Sequence, residues 1–350
     1  MNGISIVIPN WNGARTLPFV LKRVYEVMNA QQCPFEVIVI DDASTDESLE
    51  TLKDFPQVRL GISQRNQGFS KTANRCVASA RYELVFLISN DILLTGSINP
   101  MIEHFDDPKV FAVSPQVRWR NNGVFAYGKR TVQWDNGYFK VKEHPFIATP
   151  VYTLFACGGS AIFRKSLFME LGGFDDLYKP FYWEEIDLGY RAWKRGYTVI
   201  HEPRSTVYNT DRGVIKTNFK RWYIKLISGR NSYLFLWKNI NSAKYMRRHL
   251  SILLPSLIAD VLHNQWRFPL CVLMALLRLP AVLRRRSVEK QHVVVDDESV
   301  FELVASNEYY TATSVDHNME NKQETGTQEV FSHESRGNHP SAYGLTAFSG

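Results

Sequence analysis

At about 150 residues per domain, a chain of 350 residues holds two units, or one large domain with appendages. Its 45% hydrophobic and 13% aromatic content supplies a sizeable core and excludes wholesale disorder, collagen and coiled coil. The net charge of +6 is uneven: residues 1–214 are near neutral, residues 215–286 carry 14 basic residues against one acid, Asp260, and residues 287–350 carry 3 basic residues against 11 acids. Three electrostatic characters predict three segments. The four cysteines, Cys33, Cys76, Cys157 and Cys271, include no CxxC pair, which argues against a disulfide framework and a thiolate zinc site. The N-terminus MNGISIVIPNWNG lacks a basic region followed by a long apolar stretch, so a reducing, cytoplasmic compartment is expected.

In chain order, Ile4–Ile8 is a β-rich run ended by Pro9 and the polar turn Asn10-Trp11-Asn12-Gly13. A helical pattern follows from Leu17 to Met28. Val37–Ile40 is a continuous apolar run, as expected of a strand covered on both faces, and it ends at Asp41-Asp42. Ser44 with Glu47 reads as a capping box opening the next helix. Val58–Leu60 predicts a short strand, Gly68–Ala80 a helix, and Glu83–Ile88 a fourth strand ending at Ser89-Asn90-Asp91. The alternation implies a mainly parallel sheet flanked by helices, with ligands beyond the carboxyl ends of its strands. Asn10, Asp41, Asp42 and Asp91 all fall at such ends. There is no GxGxxG and no GxxxxGK[ST], so nicotinamide cofactors and P-loop chemistry are not expected.

Residues 215–286 combine a basic and an apolar helical pattern. The apolar stretches 252–262 and 268–283 are too short to span a membrane and are broken by Pro255, Pro269 and Pro280. Bordered by Arg247-Arg248, Arg267 and Arg284-Arg285-Arg286, they suit a helical segment lying on an anionic membrane surface. The bland alternative is that they pack on the catalytic domain. Residues 287–350 are acidic, and a disordered tail is expected there.

Five ordered segments carry a resemblance: Ser5–Asn12, Val39–Asp46, Asn66-Gln67-Gly68-Phe69 with Asn74, Leu87–Asp91, and Gly172–Asp175 followed by Trp183–Leu188. Over residues 3–240 they resemble the family 2 glycosyltransferases of GT-A fold, nearest the rhamnosyltransferase-like branch of bacterial polysaccharide enzymes. The resemblance implies a catalytic domain over 1–214 and transfer of a sugar, with inversion, from a nucleotide-diphosphate sugar to a hydroxyl of a glycan or lipid-linked acceptor. The donor's nucleoside would lie at Asp42 and Asp41, with Pro9, Asn10, Arg65, Asn66, Gly68 and Asn90 around it. Asp42 or Ser44 could instead cap the following helix, and Arg65 could equally be a solvated loop residue.

Ser89-Asn90-Asp91 occupies the place of the family's DxD motif, with Ser89 for the first Asp. Asp91 would be the carboxylate on Mg2+ or Mn2+. Asn209 stands where the family has a metal-binding His, with Asp211 as a possible substitute. Glu184-Glu185 matches the family's ED motif, so Glu185 is the expected general base. Gly158, Gly159, Trp183 and Glu184 would line the sugar and acceptor pocket. Asp187 is expected to be structural, paired with Arg191 at i,i+4. The implied setting is the inner face of the cell membrane, with no nucleic-acid partner. The rival from another class is a catalytically weak or dead GT-A domain serving as a membrane-bound interaction protein. A nucleotidyltransferase is a weaker enzyme rival, because Asn10–Arg15 supplies its Gly- and basic-rich loop poorly.

Overall fold

The computed structural model describes residues 3–306 except 32, 145, 211–213 and 264, and only the backbone of 214 and 216. Asp211 and the acidic stretch beyond 306 lie outside the described residues. The first four strands alternate with helices: β1 (Ile4–Asn10), α1 (Leu17–Asn29), β2 (Phe35–Asp41), α2 (Ser48–Leu52), β3 (Arg59–Ile62), α3 (Phe69–Ser79) and β4 (Leu84–Ile88). β1 and β4 are buried along their whole length, and β2 from Val37 on. That burial is why they read as unbroken apolar runs rather than alternating ones. β1 pairs in parallel with β2 and β4, and β2 with β3. Pro9 falls beyond the pairing with β4, which stops at Val7 and Leu87. Its missing N–H therefore breaks no ladder bond to β4.

The sheet then changes character. β5 (Ile92–Thr95) leads through the short helix α4 (Asn99–Ile102) to β6 (Val110–Trp119), β7 (Phe125–Tyr127), the hairpin β8 (Arg130–Asp135) and β9 (Tyr138–Glu143), β10 (Val151–Tyr152) and β11 (Ser160–Arg164). α5 (Lys165–Glu170) and α6 (Glu184–Lys194) precede the long β12 (Thr198–Asn209). The strand order is β10-β12-β6-β11-β4-β1-β2-β3, with β5 on β12 and β7 on β6. β11 is antiparallel to β4 and β6, and β5 to β12. The expected parallel sheet is thus the β3-β2-β1-β4 half, joined to a mixed half.

One local expectation fails. α2 starts at Ser48 with Glu47 in the cap position, so Ser44 and Glu47 form no capping box. The Ser44 hydroxyl donates instead to Asp41 Oδ2 at 2.6 Å and accepts the Asn12 N–H at 2.9 Å. A buried carboxylate outcompetes a helix end for that hydroxyl.

The division at residue 214 is not a packing boundary. α7 (Val214–Asn218), α8 (Arg221–Asn239), α9 (Ala243–Leu262), α10 (Arg267–Leu276), α11 (Leu279–Lys290) and α12 (Asp297–Ala305) belong to one unit with residues 1–214. α8 is buried from Tyr233 to Asn239, and Phe235 meets Phe139 of β9 at 4.6 Å between ring centroids. Within the expected 287–350 tail, α12 is helical, and its buried Asp297 takes Lys194 at 2.5 Å, the Tyr190 hydroxyl at 2.7 Å and the N–H groups of Asn241 and Ser242. A carboxylate with four donors anchors that helix despite the segment's polarity. The basic run also divides. Arg285 bonds Asp175 and Asp176, and Arg286 donates to the carbonyls of Trp237 and Ile240 at the end of α8. Arg247, Arg248, Arg267 and Arg284 are exposed. So are Leu250, Leu254, Ile258 and Leu262 of α9, and Leu270, Leu273 and Leu277 in or just after α10. Among the described residues, no helix is long and apolar enough to cross a membrane.

Candidate active site

The parallel strands set Asn10 beside Asp41 in register, and Asn90 follows the end of β4. Asn90 Nδ2 donates to Asn10 Oδ1 at 2.7 Å, and Asn10 Nδ2 donates to Asp41 Oδ2 at 2.8 Å. Gly13 lies over this chain. A Cβ there would stand 2.2 Å from Asn10 Oδ1 and 2.4 Å from Asn90 Nδ2. Asp41 also accepts the Ser44 N–H at 2.9 Å and is fully buried. Its oxygens are committed to holding the strand ends together. Asp42 is committed differently: it accepts the N–H of Gln67 on both oxygens, at 3.0 and 2.9 Å, and that of Gly68 at 2.8 Å. It thereby draws the loop with Asn66 and Arg65, both exposed, to the mouth of the sheet. Gly68 has φ 85° and opens α3, and Asn66 Oδ1 accepts its N–H at 3.1 Å.

Asp91 stands where β5 leaves the sheet mouth. Its carbonyl accepts the Thr210 N–H at 3.1 Å, and Asn209 pairs with Ile92, so the end of β12 lies alongside. The carboxyl is half-buried. Burial raises its pKa, and its own backbone N–H opposes the rise. The neighbouring Ser89 N–H donates to the Gly159 carbonyl at 2.8 Å, and a Cβ on Gly159 would reach 2.5 Å from Ser89 Oγ. The Asn209 side chain bonds the Tyr127 hydroxyl.

α6 begins with the two glutamates, and they differ. Glu185 is half-buried, and its Oε1 accepts the Gly158 N–H at 2.7 Å. A Cβ on Gly158 would lie 2.8 Å from that oxygen, so only glycine permits the approach. Burial raises the pKa of Glu185, while the Arg130 guanidinium and the Gly158 N–H oppose the rise. Arg130 is buried between the rings of Tyr127 and Phe155, at 4.6 and 4.8 Å, and bonds Glu143 at 3.1 Å. Glu184 turns into the protein, is 6% exposed, and leaves Oε2 without a partner. Burial and then the charge of Glu185 push its pKa up to about 8. It is therefore not an open pocket wall. Trp183 is half-buried: its ring packs on Phe235 at 5.3 Å and its Nε1 donates to Ser228 at 3.3 Å. Asp187 is structural as expected: Arg191 Nε bonds it at 2.7 Å, and Lys238, Asn239 and the Tyr178 hydroxyl complete its shell. Burial alone would raise its pKa, but Lys238 and Arg191 hold it well below the usual range.

A family model described as "Glycosyl transferase family 2" matches residues 5–172, which hold every one of these groups up to Gly159. The chain carries a family 2 glycosyltransferase domain. A chondroitin synthase of Pasteurella multocida is 25% identical to it over 74% of this chain, which spans only 32% of that protein. The O-antigen chain rhamnosyltransferase RfbN of Salmonella typhimurium is 23% identical over 63% of this chain and 70% of that protein. Among solved structures, GalNAc-T7 with UDP, GalNAc and Mn2+ has a TM-score of 0.52 at 17% identity, over 67% of this chain and 48% of that one. The fold of the glycosyltransferase domain is the GT-A fold expected from its motifs.

The strand ends of this glycosyltransferase domain bring Asn10, Asp41 and Asn90 into one bonded network, with Asp42 and its loop beside it, and place Ser89 against Gly159. Gly158 is tied to Glu185. Among the described residues no cluster of three or more His, Cys, Asp or Glu side chains forms a self-sufficient metal site. Asp91 supplies a carboxylate, a hard oxygen ligand. That donor set fits a hard cation that takes its remaining ligands from phosphate and water. Sequence reasoning missed Arg130, whose charge acts on Glu185 from the start of β8, and Asp297, hidden in an acidic segment. A buried-position arginine flanked by Tyr127 and Phe155 leaves no periodic trace in the sequence.

Proposed function

We propose that this chain is an inverting glycosyltransferase that moves a sugar from a nucleotide-diphosphate sugar to a hydroxyl of a lipid-linked glycan acceptor in surface-polysaccharide synthesis. The observation that carries the reading is Glu185: a half-buried carboxylate fixed by the Gly158 N–H with one oxygen left to act, and linked to the end of β4 through the Gly159 carbonyl and the Ser89 N–H. The donor nucleoside would rest against the mouth formed by Pro9, Asn10 and Asn90 and the Asp42-held loop with Arg65, Asn66 and Gly68. Asp41 acts beneath as their support. Asp91 would hold Mg2+ or Mn2+ on the diphosphate, and the presence of Mn2+ alongside UDP in the GalNAc-T7 structure supports this reading. Such a cation neutralises charge on a departing diphosphate.

Glu185 takes the proton of the acceptor hydroxyl as that oxygen forms its bond to the anomeric carbon. The bond from that carbon to the diphosphate oxygen breaks, and the diphosphate leaves with the electron pair. One displacement inverts the anomeric centre. Arg130 beside Glu185 favours the ionised carboxylate that a base must be.

The membrane reading rests on the exposed leucines of α9 and α10 bordered by Arg247, Arg248, Arg267 and Arg284. Such a face suits the anionic inner leaflet of the cell membrane, where a lipid-linked acceptor lies.

A panel of nucleotide-diphosphate sugars, assayed for release of nucleoside diphosphate with and without acceptor lipid, tests the activity. A lack of release with every donor in the panel would favour the interaction-protein reading. Sedimentation with vesicles containing phosphatidylglycerol tests the membrane face. Binding is expected to fall when Leu254 and Leu273 are replaced by Glu and when salt is raised. Equal recovery of wild type and variant with vesicles would sink it.

A further inference from the structure

Residues 178–183 lead into Glu185 through irregular backbone. Tyr182 and Trp183 both have positive φ, 68° and 80°. Bulky L-residues adopt that conformation at a cost, and it persists only where the surroundings enforce it. Here the restraint comes from α8. Asn231 is fully buried. Its Nδ2 donates to the carbonyls of Tyr178 at 2.6 Å, Phe181 at 3.0 Å and Tyr182 at 2.9 Å. Its Oδ1 accepts from Arg230 at 2.9 and 2.7 Å, and Arg230 also donates to the Lys179 carbonyl. One side-chain amide, steadied by one guanidinium, therefore grips the turn that enters α6.

We infer that Asn231 is a positioning residue for Glu185, acting through the backbone of Tyr182 and Trp183. The inference rests on the reading of Glu185 as the base. The Trp183 carbonyl accepts the Asp187 N–H at 2.9 Å, so the orientation of Trp183 sets the first turn of α6. Glu185 sits in that turn, and its 2.7 Å bond to Gly158 has little room to move. Displacement of a reacting group by about 1 Å costs on the order of a hundredfold in rate. No residue but one with an amide of this length supplies donors for the carbonyls and an acceptor for Arg230 together. Asp keeps the shape and the acceptor but loses the donors.

The test uses the full chain with the donor that turns over best in the panel. Asn231→Asp and Asn231→Ala are compared with Glu185→Gln and with Asn231→Ala in the Glu185→Gln background. Hydrogen exchange is followed at the amides of 178–187. Both Asn231 variants are expected to lower kcat by about 10- to 100-fold, with the donor KM within about twofold. Exchange should speed up at 182–187 while β1 and β4 stay protected. In the Glu185→Gln background the added loss in kcat should nearly vanish, as for two residues acting as one unit. A kcat within about twofold of wild type, an undiminished loss in the double variant, or exchange that rises equally in β1 and β4 overturns the inference. If Asn231→Ala does not fold, Asn231→Asp decides by the same measures, with its own double variant. Full activity of Glu185→Gln would overturn the base assignment, not the clasp. Wild-type exchange at 182–187 in an Asn231 variant would then overturn the clasp.

Discussion

The two acidic pairs of this molecule, Asp41-Asp42 and Glu184-Glu185, look alike in the sequence and behave oppositely in the structure. Asp41 and Asp42 end a buried strand, and their oxygens are occupied by hydrogen bonds from Asn10, Ser44, Gln67 and Gly68. Glu184 and Glu185 begin a helix after a strained turn. One has an unpartnered buried oxygen, and the other makes a single bond to Gly158. Burial lifts the pKa of both glutamates. A satisfied carboxylate organises structure, whereas an incompletely satisfied one stays available for a proton or a substrate.

The comparison breaks first, and with the largest effect, at Glu185. Glu185→Gln keeps the shape and the Gly158 contact, and loss of a general base lowers kcat by about 10²–10⁴. Wild-type kcat should rise with pH as the raised carboxyl of Glu185 ionises, and that limb should be missing in the variant. If instead Glu184→Gln abolishes transfer while Glu185→Gln does not, the roles within the pair are reversed. Next comes Asp91. Asp91→Asn, or EDTA on the wild type, should cost about a hundredfold in turnover with an unchanged melting temperature. Full turnover in EDTA would remove the metal from this site.

On the satisfied side the readout is stability. Asp41→Ala strands the Asn10 amide and the Ser44 donors, an expected loss of about 2–3 kcal/mol in denaturant unfolding. A loss of activity with no loss of stability would show that Asp41 meets the donor directly. The smallest effect is expected at Glu184. Its folded pKa of about 8 lies above the ordinary carboxylate value. The fold therefore favours the protonated form, and that contribution is lost as pH rises from the unfolded pKa toward 8. Glu184→Gln should gain in melting temperature over wild type across that window and keep a level advantage above it. A difference that does not vary with pH would mean that Glu184 is ionised in the fold.

The half of the molecule built from local signals was legible in its sequence. β1, β2 and β4 are apolar runs closed by polar turns, and α1 and α3 keep a helical period. The glutamate proposed as the base and the strand-end carboxylates stood out because they sit at element boundaries. What made them right or wrong was long-range. Whether Asp41 meets a ligand depends on Asn10 and Ser44, and whether Trp183 lines a pocket depends on Phe235. Whether residues 221–239 are separate from the catalytic domain depends on Asn231 and Lys238 reaching back to 175–187. The excess of basic charge pointed toward a membrane, yet Arg285 and Arg286 spend theirs on the protein itself. Charge composition alone does not say whether an arginine faces lipid or a carbonyl.

The latch between Lys194 and Asp297 has a consequence for biosynthesis. A ribosome makes the strand ends, Asp91 and Glu185 before it makes α8, and α8 before α12. When residue 214 leaves the exit tunnel, Asp91 and Glu185 are already outside the ribosome, but Asn231, Lys238, Arg285 and Asp297 are not. The turn before Glu185 then lacks Asn231, and Asp187 has Arg191 and Tyr178 but not Lys238 or Asn239. The order of synthesis thus delivers the strand ends before the helices that hold the turn ahead of Glu185.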